Sequence, residues 1–305
     1  MKSLSKSNWL LFFGILAVST ASLFIRKAQQ YLPSTLIAAG RLVIATLVLA
    51  PVCGKTAWNE IAKVNRQQRL HLCGAGIFLG IHFLVWIKSL ELTSVASSVV
   101  LVTSTPIWVA LFSPILLKEK VTKNNILGLL VAMLGILVLF FKQNTSTVGK
   151  FALEDLFGNL LALVGAWMAA GYTMVGRSVR DQISLPSYVF WVYGIAAITG
   201  MLAAIPALSN YNQGWLLGLP WLILLALIPQ LIGHTLFNAA LRRMNAVYAS
   251  IALLGEPVGS TILAWLFLQE SPSTFDIMGG ICVLVGILLT FLFKNENHQN
   301  DHRVD

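Results

Sequence analysis

Ten apolar stretches, each close to the length of a membrane-spanning helix, constrain this chain more than any other feature of its sequence. A helix needs about 20 apolar residues to cross the hydrocarbon core of a bilayer, and a window of about 19 residues is suited to finding such segments. Short polar turns separate nearly all of the stretches. The sequence therefore predicts an all-α membrane protein with ten transmembrane helices, at residues 9–28, 33–54, 70–90, 95–117, 125–141, 156–178, 186–206, 219–240, 246–268 and 275–293.

The composition agrees with a lipid environment, and the distribution of charge orients the predicted spans. Of the 305 residues, 57% are hydrophobic and only 11% are charged, which no ordinary soluble domain matches. Fifteen of the 21 Lys and Arg residues fall on one side of the membrane, five fall on the other, and Arg41 lies inside a span. Because basic residues are retained in the cytoplasm, we expect a multi-pass protein of the cytoplasmic (inner) membrane with both termini in the cytoplasm. The net charge of +9 then requires no nucleic-acid partner.

An internal repeat divides the chain into two halves, because a shift of 151 residues aligns the same residue types along its length. Since five spans are an odd number, the second copy must enter the membrane from the opposite side, and inverted repeats are typical of secondary transporters. We expect five-helix repeats at residues 1–142 and 156–294, a polar linker at 143–155 and a cytoplasmic tail at 295–305. The aligned pairs are Gly14 and Gly165, Arg26 and Arg177, Leu90 and Leu241, Pro106 and Pro257, Glu119 and Glu270, Gly128 and Gly279, Gly135 and Gly286, and Ile136 and Ile287.

The first stretch also has features of a secretory signal peptide, because Lys2 and Lys6 precede its apolar run and small residues end it. The repeat argues that the stretch is retained. It is the counterpart of residues 156–178, and cleavage would leave the first half one helix short.

Two matching segments carry a resemblance to a known family. The first half contains SLELTSVASSVVLVTSTPIWVALFSPILLKEK at 89–120, followed by GLLVAMLGILVLF at 128–140. The second half contains ALRRMNAVYASIALLGEPVGSTILAWLFLQE at 240–270, followed by GGICVLVGILLTF at 279–291. This twin pattern of Pro, Glu and two Gly resembles the EamA family of the drug/metabolite transporter superfamily. The resemblance implies ten helices in two inverted halves, a central cavity and, commonly, the export of amino acids or other small metabolites without ATP.

Four ionisable residues lie deep within the predicted spans: Arg41, His82, His234 and Glu256. A charged group at the centre of a membrane is costly unless it is paired or faces a cavity, so each residue is a candidate for the substrate site. Arg41 could attract a substrate carboxylate, pair with Glu256, or extend its side chain to the outer water. The histidines could relay protons, because imidazole changes charge near physiological pH, or could be hydrogen-bonded packing residues.

Proline interrupts one predicted helix in each half, at Pro106 and Pro257. A proline inside a helix deprives the carbonyl four residues before it of its N–H donor, and two such interruptions at matching depth indicate a transporter binding site. Glu256 directly precedes Pro257. It is predicted either to bind the ligand or a proton, or to have a structural role by pairing across helices.

Aromatic and amide side chains lie on the same predicted spans. Trp86 and Asn238 each follow one of the histidines by one helical turn and so share its face. Rings inside spans suit amphipathic or zwitterionic solutes and can hold an ammonium group by cation–π contact, although rings that pack helices or face lipid give the same pattern. The further candidates for the cavity are Trp108, Trp167, Tyr172 and Tyr248.

The sequence offers little for catalysis. It contains no phosphate-binding loop followed by Lys-Ser or Lys-Thr, no cluster with metal-ligand spacing and no nucleophile beside a base, so we expect neither an enzyme nor a bound metal or cofactor. The leading prediction is a secondary transporter, monomeric or homodimeric, that exports a small organic metabolite by alternating access, with protons as a candidate coupling ion. An uncoupled facilitative pathway and a membrane sensor or scaffold are the alternatives.

Overall fold

The computed structural model describes residues 6–93, 95–118, 120–141, 152–180, 182–208, 214–268 and 274–292. All regular secondary structure in these ranges is helical. A π-helical turn, Ala226–His234, joins two of the α-helices. The α-helices are α1 (Lys6–Val18), α2 (Ala21–Gln29), α3 (Ser34–Lys63), α4 (Arg66–Leu92), α5 (Val95–Val102), α6 (Thr105–Leu116), α7 (Lys123–Phe141), α8 (Ala152–Arg180), α9 (Leu185–Leu208), α10 (Trp215–Leu225), α11 (Thr235–Leu241), α12 (Ala246–Ala252), α13 (Gly255–Leu268) and α14 (Thr274–Leu292).

Within these described ranges, seven helical stretches are long and apolar enough to cross a membrane, which confirms the predicted all-α, multi-pass membrane protein. Three further apolar helices are shorter, at Thr105–Leu116, Lys123–Val138 and Ile277–Thr290. α8 already includes the last four residues of the predicted linker at 143–155. The rest of that linker, the tail at 295–305, and Glu119 and Glu270 of the repeat lie outside the described residues.

The first predicted span is divided into α1 and α2 at Ser19 and Thr20. The Ser19 hydroxyl donates to the carbonyl of Ile15 at 2.8 Å, and the Thr20 hydroxyl donates to the carbonyl of Ala17 at 2.7 Å. Short hydroxyl side chains that bond the backbone compete with the helical hydrogen-bond ladder and bend it. Hydropathy does not register this competition, so the sequence gives a single stretch.

The second predicted span, 33–54, is the first part of a longer helix. α3 continues to Lys63, beyond the point where the apolar run ends. It stops only at Val64, whose backbone is extended, and α4 then begins with a capping box in which Asn65 and Gln68 each accept the other's backbone N–H. The end of a hydrophobic run therefore marks where the helix leaves the apolar region, and the cap marks where the helix stops.

The fourth and ninth predicted spans are each interrupted near their middle. Residues 103–104 separate α5 from α6, and residues 253–254 separate α12 from α13. Both interruptions immediately precede the prolines at 106 and 257, whose missing N–H groups weaken the helix there. The eighth span contains the π-helical turn, which includes Pro229. Irregular helix of this kind frequently occurs at functional sites.

Helices of the two halves pack against each other throughout the structure. α3 packs along α9, α4 along α8 and α7 along α14. The backbones of α7 and α14 approach so closely that a Cβ atom at Gly128 would lie 2.6 Å from the carbonyl oxygen of Gly286, and a Cβ atom at Gly135 would lie 2.5 Å from that of Gly279. Small residues at such crossings are how membrane helices associate, because lipid supplies no hydrophobic force between them.

Candidate functional site

A cavity lies between helices of both halves: α1 and α2, α4, the α5–α6 break, α8, the π-helical turn with α11, and the α12–α13 break. The space between its lining atoms, including the part that opens to the outside of the protein, is about 730 Å³. The predicted site residues that line it are His82, Trp86, Pro106, Tyr172, His234 and Glu256.

The two interrupted helices place Thr105 and Glu256 on the cavity wall, and these residues are 151 apart and therefore equivalent in the repeat. The Thr105 hydroxyl donates to the carbonyl of Val102 at 2.8 Å. In the second half, the Glu256 backbone N–H donates to the carbonyl of Leu253 at 2.9 Å. The carbonyls that the prolines deprive of their usual donor thus have other donors, and the Glu256 carboxyl group is not used for that purpose.

The His82 imidazole is held on both sides. Its Nδ1 donates to the carbonyl of Gly165 at 2.9 Å, and its ring stacks on Trp86 with centroids 5.8 Å apart. These contacts agree with a hydrogen-bonded packing residue that also forms part of the wall. His234 differs, because its Nδ1 is buried without a hydrogen-bond partner among the described residues while its ring meets Phe83 edge to face at 5.2 Å.

Tyr172 and Asn238 form a polar connection between α8 and α11. The Asn238 amide nitrogen donates to the Tyr172 hydroxyl at 2.5 Å and to the carbonyl of His234 at 2.8 Å. Tyr172 lines the cavity, whereas Asn238 lies behind the wall and is fully buried. Asn238 therefore orients a cavity residue without lining the cavity itself.

Arg41 is fully buried in α3, with a relative exposure of 0%. Its guanidinium carbon lies 3.9 Å from the centroid of the Phe83 ring, which is a cation–π contact. Among the described residues, none accepts a hydrogen bond from any of its three guanidinium nitrogens, although Glu256 and Tyr193 are close enough to interact with its charge. The structure thus contradicts the extension of Arg41 to the outer water, and it contains no hydrogen-bonded pair of Arg41 with Glu256.

The other predicted site residues do not line the cavity. Trp108 and Trp167 form an edge-to-face pair with centroids 5.2 Å apart, and Trp167 is 43% exposed. The pair therefore packs α6 against α8 on a surface that faces outward. Tyr248, on α12, and Pro257, one residue beyond Glu256, are also absent from the described lining.

Several lining residues carry no charge or aromatic ring and were not predicted from the sequence. The polar ones are Thr103, Thr105 and Thr173, and the apolar ones include Leu79 and Leu253. The repeat offset held a usable signal for Thr105, because it aligns that residue with Glu256. Hydropathy holds no comparable signal for the others, since threonine and leucine are common throughout membrane spans.

Comparison with known proteins gives a consistent result. The chain matches the model of the EamA-like transporter family over residues 5–141 and again over 156–292. An uncharacterized transporter of Archaeoglobus fulgidus is 23% identical over 94% of this chain and 97% of its own length. The uncharacterized transporter YyaM of Bacillus subtilis is 24% identical over 94% of both chains. The mouse protein solute carrier family 35 member G1 is 26% identical over 90% of this chain and 76% of its own length.

A solved crystal structure has the same fold. Its chain is 20% identical in sequence and matches with a TM-score of 0.75 over 95% of this chain and 98% of its own residues. At this identity, the similarity concerns the arrangement of the helices alone.

Proposed function

Because this chain belongs to the EamA-like transporter family, as its twin motifs predict, and is a multi-pass membrane transporter, we propose that it is a secondary transporter that exports a small organic metabolite by alternating access. In this proposal the protein lies in the cytoplasmic (inner) membrane with both termini in the cytoplasm. The solute binds in the cavity between the halves, and an ion gradient or the solute gradient drives its movement without ATP.

The observation that carries the proposal is the position of both interrupted helices on one cavity. Thr105 from the α5–α6 break and Glu256 from the α12–α13 break line the same space, together with residues from four other segments. Discontinuous helices at the interface of two repeats supply polar groups to a solute within the membrane. Rocking of one half against the other would open such a cavity to each side in turn.

The pairing of helices supports two inverted repeats, at residues 1–142 and 156–294. Equivalent helices pack on each other in the α3–α9 and α7–α14 pairs. The contact of α6 with α12 corresponds to that of α13 with α5, and the packing of α4 on α8 corresponds to that of α1 on the π-helical turn and α11. Gly128 of α7 approaches Gly286 of α14, and Gly135 of α7 approaches Gly279 of α14. Since Gly128 is the repeat equivalent of Gly279 and Gly135 that of Gly286, each of these two contacts is the counterpart of the other. Reciprocal contacts of this kind are expected around a two-fold axis.

The lengths of the shorter helices support ten spans. α7 and α14 each contain 19 residues, which extend roughly 28 Å at 1.5 Å per residue. The hydrocarbon core of a bilayer is about 30 Å thick. With α5 and α6 counted as one interrupted span, and likewise α12 and α13, the described helices are compatible with the five crossings proposed for each half.

The test begins with a solute, because flux can be measured only for a compound that binds. The melting temperature of the purified protein is measured with amino acids, nucleosides, polyamines and quaternary amines, since a ligand of the folded state raises it. The compound that binds is then loaded into proteoliposomes, and its efflux is followed for the wild-type protein, Glu256→Gln and the control Glu154→Gln. Glu154 is an exposed carboxylate on α8, away from the cavity lining.

We expect Glu256→Gln to remain folded and to lose at least about tenfold in efflux, because it removes the carboxylate of the cavity wall. Glu154→Gln should transport like the wild-type protein. Efflux by Glu256→Gln at the wild-type rate would remove this carboxylate from the mechanism. Wild-type efflux that is unchanged after collapse of the proton gradient would favour the uncoupled facilitative pathway.

A further inference from the structure

Arg41 is the largest fully buried side chain of the described structure. A buried guanidinium normally has its five N–H donors satisfied by carboxylates or carbonyl oxygens. Arg41 has a ring face, that of Phe83, and no hydrogen-bond acceptor among the described residues. Its guanidinium N–H groups therefore have no hydrogen-bond acceptor among the described residues, although the Glu256 carboxyl group is close enough to interact with its charge.

Gln230 adds a second unsatisfied polar group in the same region. It lies on the π-helical turn, which packs against α3, and it is also fully buried. Neither its amide nitrogen nor its amide oxygen has a hydrogen-bond partner among the described residues. The turn that carries Gln230 is tied to α9, because the Tyr193 hydroxyl donates to the backbone carbonyl of Gln230 at 3.3 Å.

We propose that Arg41 binds the carboxylate of the transported solute, so that the substrates are organic carboxylates; this inference rests on the proposed transport function. A carboxylate presents two coplanar oxygens that match the planar guanidinium fork, whereas an ammonium group or a neutral hydroxyl does not. The wall next to Arg41 is aromatic, with His82 and Trp86, and it suits the apolar part of such a solute.

The route to Arg41 passes through a single aromatic layer. His82 and Trp86 line the cavity, and Phe83, on the same helix, covers the guanidinium. Phe83 in turn meets the ring of His234, which also lines the cavity. Phe83 and Arg41 do not themselves line the cavity, so binding of a carboxylate to Arg41 requires the Phe83 ring to turn aside.

The experiment compares carboxylates with their neutral amides on the purified full-length protein. The probes are acetate, phenylacetate and indole-3-acetate, each against acetamide, phenylacetamide and indole-3-acetamide at the same concentration and ionic strength. We expect at least one carboxylate to raise the melting temperature by about 2–4 °C when its concentration is about tenfold above its Kd. Its amide should give no comparable shift.

Three variants assign that difference to Arg41. Arg41→Met should abolish the response to carboxylate, and Arg41→Lys, which keeps the charge and loses the fork, should weaken the apparent affinity by about tenfold or more. Arg26→Gln is the control, because Arg26 is an exposed arginine of α2 that donates to the carbonyl of Thr93, and it should respond like the wild-type protein. Arg41→Met removes a buried charge that lacks a hydrogen-bonded partner among the described residues. In the absence of ligand, its melting temperature should therefore not be lower than that of the wild-type protein.

Equal shifts for every acid and its amide, or no shift for any acid, would overturn the inference, and so would a carboxylate response that persists in Arg41→Met. If Arg41→Met does not fold, the wild-type pairs and Arg41→Lys still decide the question. Flux of a neutral solute without carboxylate preference would leave the transport function intact while the inference fails. Carboxylate binding that depends on Arg41, without flux in proteoliposomes, would support the inference and contradict the transport function.

Discussion

The α7–α14 pair and the wall of the cavity hold their helices together by different means. In the α7–α14 pair, backbone meets backbone across glycines, and Ala132, Ile136 and Val283 are fully buried beside the crossing. In the cavity wall, single side chains make the connections, as His82 does to the carbonyl of Gly165 and Asn238 to Tyr172. The first region is uniform and close-packed, and the second depends on a few hydrogen bonds.

This difference follows from the membrane as a solvent. Apolar side chains gain little by leaving lipid for a helix interface, so close packing and hydrogen bonds must supply the association. Continuous close packing is difficult to rearrange, whereas a few hydrogen bonds can be exchanged as two halves move. We therefore expect the α7–α14 contact to persist through a transport cycle and the cavity wall to rearrange.

The largest effect should come from a side chain introduced at the glycine crossing. In Gly135→Leu the new Cβ would lie 2.5 Å from the carbonyl oxygen of Gly279, and neither backbone can move without separating the helices. We expect a loss of about 3 kcal/mol in the free energy of unfolding, measured as a lower melting temperature and a smaller folded fraction on size-exclusion chromatography.

Gly54→Leu is the matched control for that variant. Gly54 also lies within a helix, α3, but a Cβ there has no atom within 4 Å, so the melting temperature should be unchanged or slightly raised. If Gly135→Leu melted like Gly54→Leu, the α7–α14 crossing would be looser than described and the contrast with the cavity wall would disappear.

The sequence predicts the architecture better than it predicts the site, for a physical reason. Hydropathy and the 151-residue repeat report which segments lie in lipid and how the halves correspond, and these are properties of whole helices. Whether a side chain lines the cavity depends on the rotation of its helix by a few tens of degrees. His82 and Glu256 were found because ionisable groups in a membrane are rare, whereas Trp108 and Trp167 share their residue type with cavity residues but form a pair outside the cavity.

Local chemistry explains the remaining differences. The division between α1 and α2 comes from the Ser19 and Thr20 hydroxyls, which compete with the backbone. The continuation of α3 beyond the apolar run agrees with the absence of proline and glycine from residues 55–63, ahead of the cap at Asn65. Burial of Arg41 could not be foreseen from its own helix, because the ring that covers it belongs to α4.

An intermediate effect is expected where one side chain connects two helices of the wall. Asn238→Leu removes the hydrogen bonds to the Tyr172 hydroxyl and to the carbonyl of His234 in a fully buried position. We expect a loss of about 2 kcal/mol in the free energy of unfolding, seen as a lower melting temperature. Tyr172→Phe removes the hydrogen bond between Asn238 and Tyr172 but keeps the bond from Asn238 to the carbonyl of His234, so it should cost less.

The double variant of Asn238→Leu and Tyr172→Phe tests whether the two residues act as a connection. Its loss should be smaller than the two single losses combined, because both variants break the same hydrogen bond. Additive losses would show that Asn238 and Tyr172 stabilise the wall independently, and the wall would then be less dependent on single connections than the comparison with α7–α14 implies.

The smallest effect should come from the hydroxyl that replaces a backbone donor at the first helix break. Thr105→Val keeps the shape of the side chain but removes the donor to the carbonyl of Val102, which cannot receive an N–H from Pro106. We expect the free energy of unfolding to fall by about 1 kcal/mol. Thr103→Val is the matched control, because the carbonyl of Val99 accepts both the Thr103 hydroxyl and the Thr103 backbone N–H and keeps the latter. A larger loss for Thr103→Val than for Thr105→Val, measured by melting temperature, would mean that the break is held by its backbone rather than by this side chain.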